Sequence, residues 1–187
     1  MRPNYYGKKE ILRRYSFMKV GTFVIKIWRW LSVLLVIGAL VWTYSVFPDL
    51  VAVDFAKTGV AIKYVNKENV FYIVMGLFLV NNVVISSLVK QIPNVDADHL
   101  PIFNRKTWGE HREELNEHLV NWILCLIAVI NTIIAFSLFA LATINSNQYK
   151  LDVFDFSWLY YTSIALMAMV FLLPLRMLST PSPKDRL

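Results

Sequence analysis

Residues 107–144 read TWGEHREELNEHLVNWILCLIAVINTIIAFSLFALATI. The first third is acidic and basic by turns; the rest is almost wholly apolar. Thr107 followed by Glu110 fits a capping box, in which each side chain satisfies an orphan amide of the other's turn. Neither proline nor glycine occurs after Gly109 before Ile144. One helix is therefore expected to carry the whole segment, rising about 1.5 Å per residue. Its lower part forms a hydrated stem. Its upper part, residues 119–144, is long enough to cross a hydrocarbon core about 30 Å thick.

The rest of the chain fits around that rod. Of 187 residues, 57% are hydrophobic and the mean hydropathy is +0.48, too apolar for an ordinary soluble domain. The apolar residues fall into further blocks at residues 30–47, 69–89 and 157–175. The expected fold class is an all-α integral membrane protein of four transmembrane helices, with a cytoplasmic helical extension of the third. Residues 1–29 are a basic N-terminal segment, residues 30–178 the membrane domain and residues 179–187 a tail. Pro48 ends the first span, and residues 49–68 read as a mixed polar loop. The connector at residues 90–106 holds Pro93 and Pro101, which discourage helix. No cleavable signal peptide is expected, because no short apolar run ends at a small-residue cleavage site.

The net charge of +6 does not point to nucleic acid, because the cations flank apolar spans. Eight of the 19 Lys and Arg residues precede the first span: Arg2, Lys8, Lys9, Arg13, Arg14, Lys19, Lys26 and Arg29. Ile11, Leu12, Tyr15 and Met18 recur there at helical spacing, the pattern either of a surface helix on anionic lipid or of a basic leader that sets topology. Lys90, Arg105, Lys106, Arg112, Arg176, Lys184 and Arg186 fall on the same side, which leaves only Lys57, Lys63, Lys67 and Lys150 on the other. The positive-inside rule then places both termini in the cytoplasm of a bacterial inner membrane protein.

Few residues offer chemistry. His111, His118, Cys125 and Thr132 recur every seven positions along the rod, with Glu114 and Asn121 three residues after the two histidines. His111, Glu114 and His118 are metal-ligating types. Zinc helices usually present histidines one turn apart, however, so these residues are read as a solvated stem. No metal, cofactor or catalytic residue is expected. Cys125, Ala128, Thr132 and Ala135 form a seam of small side chains, suited to close packing inside the protein or against a partner. Asn81 and Asn82 lie near the middle of the second span, with Ser86 one turn on. A buried amide in lipid needs a partner, so these residues, with Asn121, Cys125 and Thr132, are the candidate interhelical or partner contacts. The amide pair reads as interhelical glue, or alternatively as a polar site. The core of each span lacks Asp, Glu, Lys and Arg, which disfavours a transporter or pump.

The loop FPDLVAVDFAKTGVAIKYVNK, residues 47–67, resembles the short membrane module of the bacterial SdpI-like immunity-protein family. Pro48 and Asp49 match its corner, Phe55 and Gly59 its middle, and Tyr64 and Lys67 its end. Asn104, Arg105 and Trp108 are loosely similar to a later run. The family's Pro-x-His-Phe is Ala52-Val53-Asp54-Phe55 here, and its later Asp falls on Ile62. The resemblance implies a small bacterial inner-membrane protein that works by binding, as immunity or sensing components do. The alternative is an accessory subunit of a larger respiratory or secretory inner-membrane complex. Either reading implies the lipid bilayer as surroundings and a protein partner or a homo-oligomer.

Overall fold

The computed structural model describes residues 20–95, 105–146 and 153–175. Helix α1 (Val20–Val46) leads into an antiparallel hairpin, β1 (Leu50–Phe55) and β2 (Ala61–Asn66). Helix α2 (Lys67–Leu79) follows at once. It continues through a π-helical turn, Val80–Ile85, into α3 (Ser86–Gln91) and a 3-10 turn at Ile92–Asn94. Helix α4 (Arg105–Glu110) precedes the long α5 (Arg112–Asn145). A 3-10 turn at Val153–Phe156 then leads into α6 (Trp158–Leu175). Among the described residues, four helical stretches are long and apolar enough to cross a membrane: Val20–Val46, Lys67–Asn94, Arg112–Asn145 and Val153–Leu172.

Helix α5 is the centre of the bundle. Its buried residues include Leu115, Ile123, Cys125, Ile127, Ala128, Val129, Asn131, Ala135, Leu138 and Ala142, which face around the helix rather than along one stripe. The other helices each give it a narrower face. In α1 that face is Ser32, Val36, Leu40 and Thr43, at three- and four-residue spacing. Small residues in it let α1 run parallel to α5 at close range, with Val36 and Leu40 against Ala135 and Leu138. The α2–α3 rod and α6 run antiparallel to α5. Val170 of α6 packs on Cys125 and Val129, and the Trp122 indole donates to the Val170 carbonyl at 3.2 Å. Outward residues such as Leu34, Val41, Ile73, Leu77, Ile164 and Phe171 stay exposed and apolar, as a lipid-facing surface requires.

Four expectations need correction. First, residues 49–68 are not an irregular polar loop: they form the hairpin, so the fold is mostly rather than wholly helical. Alternating Val51, Val53 and Val65, Tyr64 are strand formers, and burying Val51 beside Phe47, Val70 and Ala142 holds them in register. Second, the helix that holds the first span already includes Val20, the first described residue, and carries Lys26 and Arg29 within it. Long side chains let a helix keep its backbone pattern past the apolar run while their heads reach water. Third, the stem and the third span are not one helix. His111 adopts φ −114°, ψ 44°, which ends α4 before α5 starts. Gly109 is a poor helix former, and anchors on either side set the new direction. Trp108 is buried, and the Arg112 guanidinium donates to the carbonyls of Ile92, at 2.9 Å, and Val95. Fourth, Thr107 does not cap a helix, because α4 is already formed at Arg105.

The expected surface helix at residues 11–18 and the tail lie outside the described residues, as does Asn104.

Candidate functional site

Polar side chains buried among the helices form three groups along α5. The deepest joins α1, the π turn and α5. Asn131, fully buried, accepts at Oδ1 from Asn81 Nδ2 at 2.9 Å and from Asn82 Nδ2 at 3.0 Å. Its own Nδ2 donates to Asn82 Oδ1 at 3.0 Å and to Ser32 Oγ at 3.2 Å. Asn82 and Asn131 thus exchange two hydrogen bonds, as a paired amide does. Ser32 passes its hydrogen to the Arg29 carbonyl, and Asn81 also donates to the Ile127 carbonyl at 3.0 Å. All four bonding positions of Asn131 are filled.

The π turn is part of this arrangement. A wider turn shifts the amide pairing of the helix and leaves a carbonyl short of its usual donor. Asn82 Nδ2 donates to the Phe78 carbonyl, one turn back, at 2.7 Å. Adjacent helical residues normally point apart, yet Asn81 and Asn82 both reach Asn131 from within this turn. The one buried amide oxygen of the cluster without a hydrogen-bond donor is Asn81 Oδ1.

The second group lies nearer the start of α5. Asn121 Nδ2 donates to Thr22 Oγ1 at 2.8 Å, and Thr22 donates to Glu117 Oε1 at 2.8 Å. One turn lower, Glu114 Oε1 and His118 Nε2 are 3.4 Å apart and largely screened from solvent, and the His118 ring meets the Trp108 indole edge-on. The stem is therefore half-buried rather than solvated. Among the described residues no group of three or more His, Cys, Asp or Glu side chains is placed to hold a metal ion. His111 forms the break between α4 and α5.

The small-residue seam packs inward. Thr132 Oγ1 receives the Trp28 indole hydrogen at 3.2 Å and gives its own to the Ala128 carbonyl, while Cys125 is a buried free thiol beside Val170. The seam is consumed by α1 and α6.

The third group pins the hairpin. Asn145, the last residue of α5, reads the outer edge of β1 as a neighbouring strand would. Its Oδ1 accepts from Ala52 N at 2.7 Å and its Nδ2 donates to Ala52 O at 3.0 Å. At the hairpin's base Lys67 Nζ bonds Asp49 Oδ1 at 2.8 Å and lies over the Tyr44 ring. Lys67 holds the exposed Asp49 carboxyl below its ordinary range, first by that hydrogen bond and then by its charge. At the tip Gly59 has φ 81°, a left-handed conformation that glycine adopts without strain. Pairing is irregular at Val53 and at Ile62, which breaks the alternation. Ile62 and Tyr64 remain more than half exposed, on a strand whose outer edge has no partner among the described residues, and Val60 just before it is exposed as well.

Of the six residues that carry the family resemblance, Asp49 and Lys67 touch each other. Gly59 makes the turn and Pro48 follows the end of α1. Phe55 and Tyr64 sit on opposite strands with Ala61 and Ala52 as their partners. Asn131, Ser32, Thr22 and Asn145 escaped the sequence reading. Asn131 carried the same signal as Asn81 and Asn82, an amide inside an apolar helix. The partners that Thr22 and Asn145 reach on other elements lie more than ninety residues away, so no local pattern marks them. Comparison with known proteins finds no matching family model, no similar curated protein and no similar solved structure.

Proposed function

We propose that this chain is a non-catalytic integral membrane protein that acts by binding, in the manner of immunity or sensing components, with the β1–β2 hairpin as its recognition element. The supporting observation is that the hairpin is held rigid from three sides while its β2 edge stays open. Asn145 occupies the β1 edge, Val51 anchors the inner face and the Asp49–Lys67 pair closes the base. A pre-ordered strand with exposed Ile62 and Tyr64 is suited to an extended peptide or a short strand from a partner. Main-chain bonds would supply affinity and side-chain pockets specificity. The bundle interior favours the same reading: the buried Asn81, Asn82 and Asn131 amides bond one another, and that cluster holds no ionisable side chain.

In this reading the resemblance of the loop to the SdpI-like module reflects a shared recognition corner. The charge asymmetry supports a reading in which that corner faces outward from a bacterial inner membrane and both termini are cytoplasmic. The accessory-subunit alternative loses one of its supports, because the small-residue seam packs internally.

A photo-crosslinking residue at Tyr64, in cells, should give one discrete adduct that a residue at Phe171 on the apolar face does not give. Asn145→Ala should weaken that adduct by loosening the strand. Purification in mild detergent separates the readings. A stoichiometric complex that survives with the hairpin variants Ile62→Ala and Tyr64→Ala would replace the recognition role with the subunit role.

A further inference from the structure

On the half of the bundle nearer the hairpin, α1 and α5 leave a groove with a volume of about 540 Å³. Its floor is small. Gly38 and Ala39 of α1 lie beside Ala135 of α5, and a Cβ at Gly38 would meet nothing within 4 Å. Two aromatic pairs wall it. Trp42 of α1 stacks on Phe139 of α5 with ring centroids 5.3 Å apart, and Phe136 of α5 meets Trp158, the first residue of α6, edge-on at 6.0 Å. Leu35 lines the end farther from the hairpin. Beyond it Ile25 and Trp28 of α1 and Leu166 and Met167 of α6 all pack on the Cys125–Val129–Val170 cluster, so the groove does not run the length of the span.

Depth and chemistry select the occupant. Trp42 and Leu35 precede the end of α1 at Val46 by about 6 and 17 Å of helix at 1.5 Å per residue. With the hairpin at one boundary, the groove reaches from just inside that boundary to the middle of a hydrocarbon core about 30 Å thick, the depth of one leaflet. Apart from the two indoles no lining side chain has a polar atom, so the groove lacks the few placed polar groups with which pockets orient polar ligands. A stable protein interface takes about 20–30 residues a side. Eight residues line this groove, too few to seat a second copy or a partner helix. A single acyl chain needs neither polar partners nor a long face. Burial in lipid brings it no hydrophobic gain, so its retention would come from close contacts with the rigid rings.

We infer that this groove binds one acyl chain of a phospholipid from the leaflet on the hairpin side. The chain lies over Gly38 between the two aromatic pairs, and its end reaches Leu35. The site is separate from the hairpin and does not depend on the recognition role.

The test is photolabelling of the full chain in vesicles of phosphatidylcholine that include a trace of the same lipid with a diazirine at the end of one acyl chain. Adducts are mapped by peptide mass spectrometry. Leu34 supplies the baseline, being the same residue type at the same depth, exposed, and pointed away from its neighbour on the helix. Leu35 should be labelled in excess of Leu34. Gly38→Leu, which fills the floor, should bring Leu35 down to the Leu34 level. Gly76→Leu, the same change at an equally open site on α2, should leave the excess intact, as should the hairpin variants Ile62→Ala and Tyr64→Ala. Equal labelling of Leu34 and Leu35, or an excess that survives Gly38→Leu, would overturn the assignment. So would a chain-to-chain adduct from a photo-crosslinking residue at Phe139, which would give the groove to a second copy. If Gly38→Leu does not accumulate, Phe139→Ala carries the test, since it removes one wall at a half-exposed position and should likewise abolish the excess at Leu35.

Discussion

Asn131→Leu is the most searching perturbation of this bundle. Leucine has the same branched skeleton, with methyl groups bulkier than the amide, and is native to apolar helices, so the change removes hydrogen bonds without opening a cavity. Asn131 makes four side-chain bonds to other helices, to Asn81, twice to Asn82 and to Ser32, between 2.9 and 3.2 Å. Interhelical bonds in membranes average about 0.6 kcal/mol, so the variant should lose about 2–3 kcal/mol. Asn81 and Asn82 keep their bonds to the Ile127 and Phe78 carbonyls, which bounds the loss from above. Asn82→Leu breaks the two-bond pair and the bond to the Phe78 carbonyl and should cost about 1–2 kcal/mol. The double variant should therefore cost less than the two singles together, by about the worth of that pair. Equilibrium unfolding by steric trapping in bicelles measures all three. Additive losses, or an Asn131→Leu loss below about 0.5 kcal/mol, would show that the paired amide does not hold the helices together.

Asn145→Ala should destabilise the hairpin by about 1–2 kcal/mol, two bonds to Ala52 being lost; faster amide exchange in β1 with unchanged protection in α5 is the expected signature. Gly59→Ala forces a side chain into a left-handed turn and should cost about 1 kcal/mol, read in the same exchange experiment. The Asp49 carboxyl is depressed in the folded state, so its pairing with Lys67 contributes fully above the ordinary carboxylate pKa of about 3.9 and is lost as pH falls through the lowered value. A carbon-13 NMR titration should place the Asp49 midpoint below that of an unpaired aspartate. Lys67→Ala should raise it, and an unmoved midpoint would remove the pair from the account. Finally, cysteines introduced at Lys9 and at Lys57 should react with impermeant reagents from opposite faces of the membrane, Lys9 from the cytoplasm, as the charge asymmetry requires.

Four apolar helices and the turn at Pro48 were legible in the order of residues alone, because lipid demands about twenty apolar residues per crossing and proline cannot continue a helix. The central place of the 119–144 helix was legible too, in its small-residue seam and its length. Asn81 and Asn82 declared themselves as buried amides for the same reason. What they bond was not legible, since Asn131, Ser32 and the π turn that aims both amides come together only through packing between helices. The hairpin depended on tertiary structure in the same way. Its strands are short and irregular, and a two-stranded ribbon is marginal by itself. Val51 buried between helix ends and Asn145 bonded to Ala52 across 93 residues of sequence hold it in place. The break at His111 was likewise decided from outside, by Arg112 holding the Ile92 and Val95 carbonyls across the bundle. Local propensity set which segments become helices, and long-range hydrogen bonds set where they bend and what they hold.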